Sequence, residues 1–187
     1  MNWNQISQEY VGVAQHIFSE LKDPVHQLAN ELAGRLQQGN KVLVCGNGGS
    51  AGDAQHMVGE LVNRFLKERK PYAGIALTTD TSVLTAIGND YNYDCVFEKQ
   101  VEALGKKEDA LIGISTSGNA ENVCRAITAA KKMGILTIGF TGGTGGRVGT
   151  FVDMNICVST TQSTPRIQEG HGLIIHLLCE RIEEIIG

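Results

Sequence analysis

Apolar positions recur every three or four residues at Ile6, Tyr10, Val13, Ile17 and Leu21, which predicts an amphipathic helix over residues 4–21. A second stripe, Val25, Leu28, Leu32 and Leu36, predicts a helix from Pro24 to Gln38, opened by the proline and closed by Gly39-Asn40. The period then changes. Val42–Cys45, Tyr72–Leu77, Ala110–Ile114, Ile135–Phe140 and Met154–Val158 are short apolar runs of a length and β-branched content that suit buried strands. Helical patterns alternate with them: Ser50 to Arg64 with Ser50 as its cap, a short helix after Thr78-Thr79-Asp80, Cys95 to Leu104, a helix from the Asn119 region to Met133, and Arg166 to Ile186 behind Pro165. Thr141–Gly146 reads as a loose turn.

Strands alternating with helices imply right-handed crossovers and a parallel α/β sheet covered on both faces. Five strands fit the order 2-1-3-4-5, with a ligand crevice between strands one and three, outside their carboxyl ends. The loops leaving those two strands are Gly46-Asn47-Gly48-Gly49-Ser50 and Ser115-Thr116-Ser117-Gly118-Asn119. The topology therefore predicts that these two loops meet. The first two helices precede strand one and are not crossovers, so their apolar stripes need either the sheet or a second copy of the chain as partner.

At 187 residues, with no linker, repeat or low-complexity stretch, the chain reads as a single domain, 1–187, led by a helical segment over 1–40. A net charge of −4 and a pI near 5.7 argue against nucleic-acid and anionic-membrane partners. No signal segment and no run approaching about 20 apolar residues is present, so a cytoplasmic location is expected. The five cysteines are scattered and form no C-x-x-C, which suits reduced, structural thiols.

The candidate chemistry gathers after strand one. A glycine-rich turn entering a helix offers backbone N–H groups and the positive end of the dipole to an anion. The same helix carries His56, Glu60 and Arg64 at i, i+4 and i+8, with Asp53 close to that face. The second loop adds three hydroxyls, those of Ser115, Thr116 and Ser117, at another helix start, a donor set for a phosphate monoester. No G-x-x-x-x-G-K-[ST] and no G-x-G-x-x-G exists, which disfavours nucleoside triphosphates and dinucleotides. Taken singly, each loop is also an ordinary turn and His56-x-x-x-Glu60 an ordinary surface pair; their convergence is what points to a site.

The motifs G-N-G-G-S-x-x-D-A-Q-H-x-x-x-E-L (46–61), G-I-S-T-S-G-N (113–119) and R-I-Q-E-x-H-x-x-x-x-H (166–176) together resemble the sugar isomerase (SIS) domain family, and within it the phosphoheptose isomerases. The resemblance covers nearly the whole chain. It implies a flavodoxin-like SIS domain that converts sedoheptulose 7-phosphate to D-glycero-D-manno-heptose 7-phosphate for nucleotide-activated heptose synthesis. By the same resemblance, Ser50, Ser115, Thr116 and Ser117 hold the phosphate, and Asn47, Gly48, Gly49, Asn89 and Asp90 the sugar; Glu60, Arg64 and Gln168 are also expected to contact the substrate. It also implies Glu60 and His176 as the acid–base pair, and Zn²⁺ held by His56, Glu60, Gln168 and His176. A homotetramer with sites at subunit interfaces is the implied assembly.

Elementary chemistry agrees with part of this. Isomerisation through an enediol needs a base at one carbon and an acid at the oxygens, roles a carboxylate and an imidazole can fill. On an ideal helix His176 lies within about 20° of Glu169 but about 80° from Gln168, an awkward angle for a shared ion. His171 lies about 140° from His176 and reads as a core or interface residue. His16 and His26 read as surface or packing residues. Ala120 stands where many relatives have a serine, and Pro165 where some have aspartate. Two other functions remain open: a non-enzymatic SIS protein of the replication-initiator-associating type, which needs no general base, and an isomerase of another sugar phosphate.

Overall fold

The computed structural model describes all residues, Met1–Gly187. Its order is α1 (Trp3–Ser19), α2 (Lys22–Gln37), β1 (Val42–Gly46), α3 (Gly49–Val62), β2 (Gly74–Ala76), α4 (Thr81–Asp90), α5 (Glu98–Leu104), β3 (Ala110–Ser115), α6 (Glu121–Lys132), β4 (Leu136–Gly142), α7 (Gly146–Phe151), β5 (Met154–Val158) and α8 (Thr164–Ile186), with a 3₁₀ turn at Tyr93–Cys95. The five strands form one parallel sheet in the order β2-β1-β3-β4-β5, as the alternating pattern predicts. β1 runs beside β3 in register from Val42↔Ala110 to Gly46↔Ile114, so both strands end level and their following loops start side by side.

The pleat divides the strands between two cores. Val42, Val44, Ile112, Ile138, Phe140 and Ile156 face α1, α2, α3 and α8, while Leu43, Cys45 and Leu111 face α5, α6 and α7. Strands buried on both faces explain the unbroken apolar runs in the sequence. α8 is the central helix of the first layer: Ile167, Ile174, Ile175, Leu178 and Ile182 are all buried, and it packs on α1, α2 and α3. No helix is long and apolar enough to cross a membrane.

Several expectations change. The α1 stripe splits: Val13, Ile17 and Leu21 are buried within this chain's own core, whereas Tyr10 is exposed. α3 ends at Val62, and Arg64 lies beyond it, because the backbone turns extended at Asn63 (ψ 177°). Asn89 and Asp90 are the last two residues of α4. β2 has only three residues, and the helix expected from Cys95 to Leu104 is a 3₁₀ turn followed by α5. The glycine-rich segment after β4 contains α7, a six-residue helix too short and too glycine-rich to show a period.

Candidate active site

The two loops meet as the strand order requires. Between them lies a cavity of about 160 Å³ lined by Asn47, Ser50, Ile114, Ser115, Thr116, Ser117 and Ala120. Ser50 does not cap α3. The N-cap is Gly48, and Ser50 sits in the first turn with its N–H on the Asn47 carbonyl at 3.0 Å. No side chain caps α3 or α6; the Ser50 and Ala51 N–H groups bond back to Asn47 and Gly48, while those of Gly49 and of Glu121, Asn122 and Val123 are left available to an anion.

Asn122 and Arg147, which sequence reasoning missed, help to hold the walls of this cavity. The Asn47 and Asn122 amides pair reciprocally, with both N···O distances at 2.9 Å, and tie the two loops together. Asn122 is buried at the second position of α6, where its amide looks from sequence like routine helix polarity. Ser117 Oγ accepts the Asn119 N–H (3.2 Å), leaving its own hydrogen to donate into the cavity. Asn119 Oδ1 in turn accepts the Arg147 N–H (3.1 Å), and the Val148 N–H donates to the Gly118 carbonyl (2.8 Å). The start of α7, just after the segment read as a loose turn, is thus a buttress under S-T-S-G-N.

Farther along α3 the second half of the site forms. His56 Nε2 lies 3.0 Å from His176 Nε2 and 3.2 Å from Glu60 Oε1, and the two imidazole rings meet edge to face with centroids 4.8 Å apart. One ring hydrogen cannot serve both neighbours of His56 Nε2, so the trio has more acceptors than protons and suits a shared cation or proton. His56, Glu60 and His176 each offer one ligand atom, and these atoms lie within 4.8 Å of one another, a group that could hold a metal ion. Two of the three separations, 3.0 and 3.2 Å, are near the roughly 3.4 Å expected between ligands about 2.1 Å from a tetrahedral zinc, while the third is bounded only by 4.8 Å. The donor set therefore fits the ion implied by resemblance.

Gln168 is placed differently from the three. Its amide lies against Gly49, and Asp53 is its other neighbour. Burial raises the Asp53 carboxyl above its ordinary pKa, and the neighbouring Gln168 amide and His56 pull it back down. Arg64 is exposed and 3.9 Å from Glu68, outside the His56–Glu60 row. Asn89 Nδ2 donates to Asp90 Oδ1 (2.9 Å) on the exposed end of α4, and neither residue lines the cavity. His171, left open between core and interface by its helical angle, is a core residue: fully buried, with Nε2 2.9 Å from the Thr141 carbonyl and its pKa pushed down by burial to about 4. His16 is a packing residue, 3.2 Å from the Cys157 carbonyl.

Behind the cluster is an anchor with no sequence signature. Glu183, 1% exposed, accepts the N–H groups of Phe65 (3.2 Å), Leu66 (2.9 Å) and Lys67 (2.9 Å) and the Arg69 Nε (3.0 Å). Burial alone would raise its pKa, but these donors outweigh it and hold the carboxyl below its ordinary value. Arg69 also donates to the Glu60 carbonyl (2.7 Å), and Phe65 stacks on His176 with ring centroids 5.7 Å apart. The last helix thereby fixes the loop that backs both proposed acid–base residues.

Comparison with known proteins gives the family. The family model of the SIS domain matches residues 7–142. A phosphoheptose isomerase of Aliarcobacter butzleri is 51% identical over 167 residues, covering 89% of this chain and 88% of that protein. Solved structures of phosphoheptose isomerases from Neisseria gonorrhoeae (42% identity, TM-score 0.91) and Francisella tularensis (38%, 0.93) each cover 97% of this chain and 96% of the other. On matches of this identity and coverage, the chain belongs to the phosphoheptose isomerases of the SIS domain family.

Proposed function

We propose that this sugar-phosphate isomerase interconverts sedoheptulose 7-phosphate and D-glycero-D-manno-heptose 7-phosphate, with the phosphate in the Ser50–Ser117 cavity and the reacting carbons at Glu60 and His176. The observation that carries the reading is that α3 joins both halves. Ser50 lines the cavity, and His56 meets Glu60 and His176 six residues later, about 9 Å along the helix axis. That separation suits a sugar phosphate bound by one end and transformed at the other. Asn47, Gly48 and Gly49 would lie along the sugar chain between them.

In the ketose-to-aldose direction a base takes the C1 proton, and the bonding pair forms the C1–C2 double bond while the carbonyl oxygen gains a proton. The enediol then loses the O1 proton as C2 is reprotonated, so no external oxidant or reductant is involved. Glu60 is assigned to the carbon-bound proton and His176 to the oxygens, by their chemistry and their convergence beside His56. A Zn²⁺ ion bound to His56, Glu60 and His176, with Gln168 as a fourth ligand, would polarise the substrate oxygens. Phe65 stacks on one face of His176 and helps to orient the ring, which is otherwise exposed in one chain.

The active form is proposed to be a cytoplasmic homotetramer. Asn89, Asp90 and Arg64 are exposed in one chain, which supports their serving sites completed by a neighbouring copy. Incubating the purified protein with sedoheptulose 7-phosphate and following the aldose product tests the assignment. Absence of turnover with the heptose, alongside turnover of a shorter ketose phosphate, would replace this substrate with that one.

A further inference from the structure

We infer that Asp53 is a positioning residue that turns the carbonyl edge of the Gln168 amide into the site. Asp53 and Gly49 stand four residues apart on α3 and so share one helix face, the face against which Gln168 of α8 is seated. The amide lies flat over Gly49: a Cβ there would come within 2.5–2.6 Å of Oε1, Cδ and Nε2 alike. With its face fixed in this way, the amide can still exchange its two edges by a half-turn. Asp53 breaks that symmetry. It is 8% exposed, and its Oδ2 is sealed from solvent without a hydrogen-bond partner. A carboxylate only accepts, whereas a glutamine amide has one donor edge and one acceptor edge. The NH₂ edge therefore belongs beside Asp53, and Oε1 is turned away from it. Oxygen is the amide atom that a cation takes, so Asp53 selects the orientation in which Gln168 is useful as a ligand. A buried, under-satisfied acceptor is costly for folding alone, and this role accounts for its presence.

This inference rests on the metal reading of the site, and its test separates the two. Metal-free parent, Asp53→Asn, Gln168→Ala and the double variant are titrated with Zn²⁺ by calorimetry, with thermal melts confirming that each is folded. Asparagine keeps the volume but accommodates either edge of the amide, so Asp53→Asn should weaken Zn²⁺ binding by about 10–100-fold. In the Gln168→Ala background the same change should alter affinity by less than about twofold, because the group it acts through is gone. Parent-like affinity in Asp53→Asn, or losses that multiply in the double variant, overturns the inference while leaving the metal reading intact. A parent with no saturable Zn²⁺ binding overturns both. If Asp53→Asn does not fold, Asp53→Ser replaces it in the same cycle.

Discussion

At the residue scale the site makes separable demands on its two halves. Glu60→Gln removes a proton acceptor at nearly constant volume, so kcat should fall by about 10²–10⁴-fold with little change in substrate affinity. Near-normal turnover would remove Glu60 from the mechanism. Ser117→Ala deletes a donor whose acceptor side is already occupied by Asn119. KM for the phosphorylated sugar should rise by about 5–30-fold, one charge-assisted hydrogen bond of about 1–2 kcal/mol, while kcat holds. Unchanged affinity for phosphate ligands would mean that the hydroxyl only caps its own loop. Residues such as Ser50, Ser117, His56 and Glu60 were legible in the sequence because they fall within short motifs read against a strand–turn–helix frame. Asn122, Phe65 and Glu183 were not, since each acts through a neighbour remote in sequence, and nothing local distinguishes them from helix or loop filler. Ser50 shows a smaller failure: serine at a helix start reads as a cap, yet the chain had already turned at Gly48.

At the element scale, the connections carry more than their patterns announce. Strand runs and amphipathic stripes exposed the sheet order, because burial on both faces leaves a continuous apolar signature. α7 left none, although its first residues brace the Ser115–Asn119 loop. Gly118 shows how close that support is: with φ 67°, a Cβ there would strike the Gly145 carbonyl. Gly118→Ala should therefore displace the buttress and weaken phosphate binding, visible as a KM effect with a lowered Tm. α8 supplies a pH dependence of its own. His171 is neutral and buried, with a folded pKa of about 4 against 6.5 when unfolded. The unfolded chain thus binds the extra proton first, and stability should be complete above about pH 6.5 and decline as pH falls toward 4, by up to about 3 kcal/mol. Urea unfolding across that range is the measurement, and His171→Gln should flatten the acid limb. An equally steep limb in the variant would assign the effect to other groups.

At the scale of the whole molecule, α1 presents two faces. Val13 and Ile17 belong to the protomer's core, while Trp3, Tyr10, Val11 and Phe18 are 47–74% exposed, spaced by seven from Trp3 to Tyr10 and from Val11 to Phe18. Phe18 also borders a groove of about 260 Å³ with Leu21, Val25 and Leu177. An outward apolar stripe of this kind suits self-association. Phe18→Glu should lower the mass seen by light scattering without unfolding the chain, whereas Ile17→Glu, at a site 1% exposed, should unfold it. A Phe18→Glu protein with unchanged mass would move the interface elsewhere. The two outcomes could not be told apart from sequence, where a single helical stripe does not say which of its members face inward. The central position of α8 has a consequence for how the protein is made. Synthesis delivers its residues after every strand and every other helix of the domain, yet they close the larger core, hold the loop behind the site and contribute His176. During translation the apolar flanks of α1, α2 and α3 must wait uncovered until α8 leaves the ribosome, a window in which a nascent chain is open to aggregation and to chaperone capture. Messages that terminate before Ile174 should accordingly yield insoluble product rather than a weakened enzyme.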